Sequence, residues 1–371
     1  MAVSIPRSRP LTVLVLVLLG ALFGATAFLD SVHHEVRTTR ARDHLDHGRE
    51  RAARDDLAGA VREYRAALSL EREHPEAARA LALTLLSLGR LSEAESYLGE
   101  LLRRDPADGA LNRGLARIHL ARDRQHEARS AYQRAIYGEW PGDAMADRMD
   151  TRFELIDYLT RLDAREEILA ELLRLKSEMP AGQTVAARRV AALLARHGAP
   201  EMAIDTLDSA ATNAPRDVEL LGQLAELQMT TGRSADARGT LRRALAVQPS
   251  ATDLRERLTV IERVLTLDPT LPGLRLVTRT RRARVVLSAV MEQTRACREH
   301  SGAPPGLADT RDDAARRLRR PARADAEAAE EELALASRIW SASAACHGSD
   351  AEALAIAQVL QRVEALTEPS A

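Results

Sequence analysis

Aromatic residues are scarce in this chain of 371 residues. Phe, Trp and Tyr together make up 3% of the sequence, although hydrophobic residues of all kinds make up 45%. A core of this composition consists mainly of alanine and leucine. These residues suit close-packed helices, whereas β-sheets favour β-branched and aromatic side chains. We therefore expect an all-α protein, long enough for two or three domains.

The sequence also has few cysteines. Cys297 and Cys346 are the two cysteines of the chain, and no CxxC motif occurs. This pattern indicates neither a zinc ribbon nor a redox-active pair. On the outer side of a membrane the two cysteines could form a disulfide, and two buried thiols are the alternative.

Motifs that carry catalysis are absent as well. The sequence contains no phosphate-binding glycine loop, no HExxH and no GxSxG. Cys346 and His347 are adjacent, and adjacent residues of a helix point in different directions, so they do not form a nucleophile–base pair. We expect no catalytic residues, no cofactor and no enzyme activity.

The formal net charge is −1, and one basic segment is followed directly by an acidic one. Residues 275–323 hold thirteen arginines against five acidic residues, and residues 324–333 add five more acidic residues. Sites for single-stranded nucleic acid use aromatic side chains for base stacking, which the basic segment lacks. We interpret the two segments as folding against each other and expect no nucleic-acid partner.

The most informative stretch is residues 220–249, which predicts two short helices joined at Gly232. Gly232 stands where a helix end requires a positive φ, and Ser234 is positioned to cap the next helix. Pro249 would end the second helix. The apolar residues of the first helix recur at three- and four-residue steps and so share one face: Leu220, Leu221, Leu224, Ala225 and Leu227.

Markers of this helix pair recur upstream with a period of 34 residues. Ala60, Ala94 and Ala128 keep this step. The step from Ala128 to the next copy, at Ile168, is 40 residues, which places an insertion in residues 137–149. The other markers that keep the period are Tyr64, Leu98 and Tyr132, and the pairs Gly198–Gly232, Ala203–Ala237, Leu207–Leu241, Ala210–Ala244 and Pro215–Pro249.

A helix–turn–helix unit repeated every 34 residues resembles the tetratricopeptide repeat family. The resemblance covers residues 43–249 as six repeats and implies an α-solenoid, in which each repeat is buried only against its neighbours. We expect the repeat array to occupy residues 43–269, and residues 270–371 to form a helical C-terminal domain or cap. The repeat that contains Ile168 departs from the pattern because it lacks the turn glycine.

The resemblance also implies that the array binds proteins or peptides. In this family the first helix of each repeat lines a concave face. Arginines there could bind partner carboxylates through paired hydrogen bonds, and ordinary solvated charges are the alternative. The candidates are Arg79, Arg113, Arg117, Asp157, Arg188, Arg196 and Glu226, with Glu76 and Glu219 beside them.

An uncharged run precedes the repeats. Residues 1–10 form a short tail, and residues 11–29 carry no charged side chain. At helical rise such a run nearly crosses a bilayer core of about 30 Å. We favour a single-pass membrane anchor. A signal peptide, cut after the small residues Ala25 and Ala27, is the alternative.

Charges beside the run predict that the repeats lie on the extracytoplasmic, periplasmic side. Arg7 and Arg9 lie close before the run, whereas Asp30 is the first charge after it. Residues 30–42 would form a juxtamembrane segment. Gly20 and Gly24 have the GxxxG spacing, which could pair two anchors in a homodimer.

Four histidines, His33, His34, His44 and His47, lie between the uncharged run and the first repeat marker. His44 and His47 are three residues apart, so on a helix they would share a face and could bind a metal ion. No second set of ligands stands at a defined spacing. We therefore interpret this segment as a solvated helix and expect no metal site.

Together these features predict a membrane-anchored tetratricopeptide repeat protein that acts as a protein–protein interaction scaffold in a bacterial-type cell envelope. The alternative is a non-catalytic accessory or regulatory subunit of an envelope enzyme, one that recognises a glycan or lipid intermediate. Sugar sites usually use stacked aromatic side chains, and this sequence has few.

Overall fold

Helices supply the regular structure of the chain, as the sequence predicts. The computed structural model describes residues 9–140, 142, 144–295, 306–322, 324–344 and 347–367, with side chains from residue 33 onward and at Leu18, Leu19 and Phe23. Within these residues extended backbone pairs at one isolated bridge. The described helices are α1 Arg9–Ala53, α2 Leu57–Leu70, α3 Pro75–Ser87, α4 Leu91–Arg104, α5 Gly109–Ala121, α6 Gln125–Tyr137, α7 Ala144–Arg161, α8 Arg165–Glu178, α9 Thr184–Arg196, α10 Pro200–Asn213, α11 Val218–Thr230, α12 Ser234–Val247, α13 Thr252–Leu267, α14 Leu276–Gln293, α15 Leu307–Arg319, α16 Ala326–Ala342 and α17 Ala351–Thr367.

The chain divides into two compact units, Met1–Ala164 and Arg165–Ala371. In the first unit α1 packs against α2, α3 against α4, and α5 against α6, and α7 then packs on α6. In the second unit α8 precedes the pairs α9–α10 and α11–α12, and α13 packs on α12. These antiparallel pairs are the helix–turn–helix repeats that the 34-residue period predicts.

Each repeat turns at a residue with a positive φ. Gly232 has φ 74°, and its N–H donates to the carbonyl of Met229 while the next N–H, of Arg233, donates to that of Gln228. This pattern is the Schellman motif, which satisfies the carbonyls left free at a helix end. The same two bonds recur at all six turns, where the positive-φ residues are Asp55, Gly89, Asp123, Asp163, Gly198 and Gly232.

One predicted detail of the turn is wrong. Ser234 does not cap α12, because Arg233 occupies the N-cap position and Ser234 is already the first helical residue, with a buried side chain. Arg233 is the last residue of the Schellman motif, because its N–H makes the second turn bond. The N-cap position therefore falls on Arg233, and the helix begins at the next residue.

The periodic small residues form the core of the repeats. Ala60, Ala94 and Ala128 have no exposed surface, nor have Ala203 and Ala237. A methyl group at these positions lets two helix backbones approach closely. Larger side chains such as those of Tyr64, Leu98 and Tyr132 fill the space between successive pairs and are at most 2% exposed.

The predicted insertion folds back onto the preceding repeat. The N–H of Glu139 donates to the carbonyl of Ala107, and the N–H of Gly109 donates to that of Glu139, both at 2.7 Å. Trp140 covers this bridge, and its indole N–H donates to the carbonyl of Ala135 at 2.8 Å. The inserted residues are therefore held by the α5–α6 repeat.

Four further helices, α14 to α17, follow the array, as predicted for the C-terminal region. α14 packs against α16, and α17 packs on α13. Arg362 of α17 donates to the carbonyl of Gly232 at 2.7 Å and pairs with the fully buried carboxylate of Asp268 at 3.2 Å. Helix α17 thus covers the end of the α11–α13 array within the second unit.

At the N-terminus α1 continues without a break from Arg9 to Ala53. Among the described residues, no helix is both long enough and apolar enough to cross a membrane. The predicted anchor and the Gly20–Gly24 pair lie mostly outside the residues whose side chains are described, and both stay predictions. Cys297 and Cys346 also lie outside the described residues, so the disulfide stays a prediction too.

Candidate binding surface

Charged residues on the first helices of successive repeats pair with one another in the first unit. Arg49 of α1 donates to Glu76 of α3 at 2.6 Å. Arg79 of α3 pairs with Asp108, which is buried and also caps the N-terminus of α5 through the N–H of Leu111. Two residues predicted from sequence to face a partner, Arg79 and Glu76, therefore link one repeat to the next.

The next junction is built around Glu154 of α7. Arg113 and Arg117 of α5 both donate to this carboxylate, each through its Nε at 3.0 Å. Burial alone raises the pKa of Glu154. The hydrogen bonds from Arg117 and Arg113 outweigh burial and hold its pKa below the usual value. Burial, with the negative charge of Glu154 nearby, raises the pKa of Tyr132 to about 12.

The second unit repeats this pattern. Arg188 of α9 pairs with Glu219 of α11, and Glu226 of α11 pairs with Arg257 of α13 at 3.3 Å. These pairs are more exposed than the Glu154 cluster, since the side chains of Glu219 and Glu226 are 76% and 63% exposed. They are consequently weaker and better able to exchange one partner for another.

An open groove of about 530 Å³ runs along this part of the second unit. Its walls carry Arg188, Glu219, Glu226 and Arg257, and Gln223 lies between them and donates to the backbone carbonyl of Arg188. The lining residues offer charges of both signs and the side-chain amides of Gln223 and Gln248. Among the described lining residues none is aromatic: Arg188, Val218, Glu219, Gly222, Gln223, Glu226, Gln248, Ser250, Ala251, Thr252, Asp253, Leu254 and Arg257.

The structure thus separates the predicted partner-binding residues into three settings. Arg188 and Glu226 share the groove, Arg113 and Arg117 share Glu154, and Arg79 is held by Asp108. Arg196 is exposed in the last turn of α9, and Asp157 lies on α7.

The charged partners of Arg79, Arg113 and Glu226 were missed in the sequence. They are Asp108, Glu154 and Arg257, which stand 29, 41 and 31 residues downstream. An opposite charge about one period downstream was the available signal. This signal was hard to recognise because the separations are unequal. Asp108 stands at an N-cap position, and an insertion precedes Glu154.

In the C-terminal region the basic and acidic segments do pair, as the sequence interpretation predicts. Arg284 of α14 lies 3.6 Å from the buried Glu332 of α16, and Arg317 of α15 pairs with Glu331. Burial nevertheless raises the pKa of Glu332, more than the charges of Arg284 and Arg317 lower it.

The paired helices, the recurring turn and the pairing of neighbours define a helical-repeat protein. The family model described as tetratricopeptide repeat matches residues 40–98 and 79–144. Residues 40–144 therefore match tetratricopeptide repeats, and the resemblance drawn from the sequence is confirmed for these residues.

Comparison with known proteins adds structural relatives of low identity. The structure is similar to that of YrrB, titled a TPR protein with an unusual peptide-binding site (18% identity, 52% of this chain and 95% of that chain, TM-score 0.35). It is also similar to pilF of Pseudomonas aeruginosa (15% identity, 59% and 97%, TM-score 0.40). A third is the C-terminal part of a TPR repeat-containing protein from Cytophaga hutchinsonii (11% identity, 66% and 94%, TM-score 0.44). No curated protein matches the sequence.

Proposed function

We propose that this protein is a non-catalytic scaffold whose repeats bind a peptide or an extended segment of another protein. The observation that carries the proposal is the groove of the second unit, which is lined by Arg188, Glu226 and Arg257 from three successive first helices. An extended peptide offers carboxylates, cations and backbone amides, which are the groups that such a lining can bind. Exposed ion pairs such as Glu226–Arg257 can be replaced by pairs to a ligand at little cost in free energy.

The lining of the groove favours a peptide over a glycan. Sugars are commonly held by stacking on aromatic rings, and the described lining residues supply none. Arginine instead binds carboxylates through two parallel hydrogen bonds, which favours a ligand with acidic side chains or a free C-terminus.

Site-specific crosslinking tests the proposal. A photoreactive residue at Gln223, inside the groove, should yield a crosslinked partner in cells. The same residue at Ala246, exposed on α12 and absent from the groove lining, should yield much less. Equal yields from both positions, or a glycan or lipid in place of a peptide at Gln223, would overturn the proposal.

A charge reversal tests the role of the groove charges. Arg257→Glu should weaken capture of that partner about tenfold or more, since a hydrogen bond to a charged group is worth roughly 1.5–3 kcal/mol. The matched control is Arg242→Glu, because Arg242 also forms an exposed pair, with Glu262, but lies outside the groove lining. Equal effects of the two substitutions would count against a binding role for the groove.

We further propose that residues 11–29 hold the repeats at the outer face of a membrane in a bacterial-type cell envelope. The support is the uncharged sequence of this run and the arginines that precede it. A reporter enzyme that works only outside the cytoplasm, fused after Ala27, should be active and should remain with the membrane fraction. Activity only of a cytoplasmic reporter would contradict the orientation, and release into the soluble fraction would contradict the retained anchor.

A further inference from the structure

A cluster of three metal-ligating side chains lies between α1 and α2. His44 and His47 stand on one face of α1, and Glu63 of α2 lies opposite them. One ligand atom from each residue can be chosen so that all three atoms lie within 4.8 Å of one another. The sequence contained the histidine pair, but the third ligand becomes evident only when α2 folds back along α1.

The ligand set suits a divalent transition metal. Imidazole nitrogen and carboxylate oxygen bind Zn²⁺ at about 2.0–2.2 Å, which places neighbouring ligands of a tetrahedral site roughly 3.3–3.5 Å apart. Nδ1 of His44 already lies 2.8 Å from Oε2 of Glu63, within hydrogen-bond distance. A metal ion between them would replace this hydrogen bond, separate the two atoms slightly and draw in the exposed ring of His47.

A neighbouring arginine orients the carboxylate of Glu63. Arg51 lies 3.2 Å from Oε1 of Glu63, the oxygen that does not contact His44, and also donates to Asp56 at 2.9 Å. Residues that hold a metal ligand in place from outside raise its affinity and fix its direction. The hydrogen bond from His44 lowers the pKa of Glu63 more than burial raises it, so this ligand is ionised at neutral pH.

We propose that His44, His47 and Glu63 form a binding site for a divalent transition metal ion of the Zn²⁺ type. Three protein ligands leave a fourth position for water. The bound ion would join α1 to α2 and so stabilise the first repeat, since a ligand that binds only the folded state raises the unfolding temperature.

Cobalt substitution tests the site in the full-length protein, prepared without a histidine tag. Addition of Co²⁺ should produce the visible absorption of a four- or five-coordinate nitrogen–oxygen site at one equivalent, and Zn²⁺ should displace it. His47→Gln and Glu63→Gln should each weaken binding by at least about tenfold, the scale seen even for residues that support a ligand. The matched control is His34→Gln, which changes an exposed histidine of the same helix outside the cluster.

Three results would overturn the proposal. They are the absence of the cobalt spectrum from the wild-type protein at about 100 μM, wild-type affinity in both variants, and an equal loss in His34→Gln. Circular dichroism checks that the variants fold. Because His47 is exposed, its variant keeps the test decisive even if Glu63→Gln disturbs the α1–α2 contact. Thermal unfolding gives a second measurement: Zn²⁺ should raise the Tm of wild type and of His34→Gln, but not that of His47→Gln.

Discussion

Glu154 is a carboxylate of the array that two arginines share. It accepts hydrogen bonds from Arg113 and Arg117, and its side chain is 25% exposed. Removing such an acceptor leaves two guanidinium groups close together without their shared anion. Charged hydrogen bonds in partly buried sites contribute more to stability than ion pairs at the surface. The first unit should therefore depend on this carboxylate.

Glu154→Gln should lower the free energy of unfolding by about 1.5–3 kcal/mol, the range for hydrogen bonds to charged groups. Chemical unfolding followed by circular dichroism measures the change. Glu219→Gln is the control, because that carboxylate pairs with Arg188 while being 76% exposed. The control should lose no more than about 1 kcal/mol, and equal losses would show that the Glu154 cluster has no special weight.

Acid should remove the contribution of Glu154 to stability. Burial raises the pKa of Glu154, but the hydrogen bonds from Arg117 and Arg113 lower it by more, so that the pKa lies below the ordinary 4.5. The folded state therefore keeps the carboxylate ionised where the unfolded state binds a proton. The stabilisation is complete above pH 4.5 and is lost as pH falls through the lower folded pKa. The difference in stability between wild type and Glu154→Gln should shrink over this range, and a difference that grew on acidification would contradict the assignment.

At the scale of the helix pair, the turns explain why the period survives in a divergent sequence. Asp55, Asp123 and Asp163 take the same left-handed conformation as Gly89, Gly198 and Gly232. Aspartate tolerates this conformation better than most residues with a side chain. The repeat that contains Ile168 lacks the turn glycine, and Asp163 makes its turn instead. A search for aspartate as well as glycine would have found all six.

Gly232→Ala should destabilise the protein by about 1–2 kcal/mol, the cost of a left-handed conformation for a residue with a Cβ atom. Its φ is 74°, and the two hydrogen bonds of the turn are donated by its own N–H and by that of Arg233. Gly239→Ala is the control, since this glycine lies inside α12 with open space around a new Cβ. It should stabilise the protein by roughly 0.5–1 kcal/mol. The urea midpoints of the two variants should shift in opposite directions, and a shift in the same direction would refute the explanation.

At the scale of the whole chain, the periodicity of the sequence predicted the features that depend on residues close together in the chain. The helices, the glycine turns and the buried alanines follow from spacing, and Ala60, Ala94 and Ala128 are fully buried as expected. Pairings between distant residues could not be predicted in this way. The third ligand opposite His44 and His47 and the acceptor of Arg113 depend on how neighbouring helices align, which spacing within one helix does not encode.

Arg362 gives a test of how the C-terminal helix secures the second unit. Arg362→Ala should cost about 3 kcal/mol, because it leaves the fully buried carboxylate of Asp268 without its cation. Arg263→Ala is the control. It removes a second arginine contact between α13 and α17, the pair with Glu352, but this pair is exposed to solvent and should cost about 1 kcal/mol or less. Thermal unfolding measures both, and equal Tm values for the two variants would show that α17 is not held through Asp268.

The unbroken course of α1 has a mechanical consequence. The helix that contributes the first packed surface of the array is the same helix that begins at Arg9, so no hinge separates the uncharged run from the repeats. Each residue inserted at about position 35 would turn the first repeat by roughly 100° around the helix axis and move it about 1.5 Å along it. The direction in which the first repeat faces, relative to whatever surrounds residues 11–29, is thus determined by a residue count.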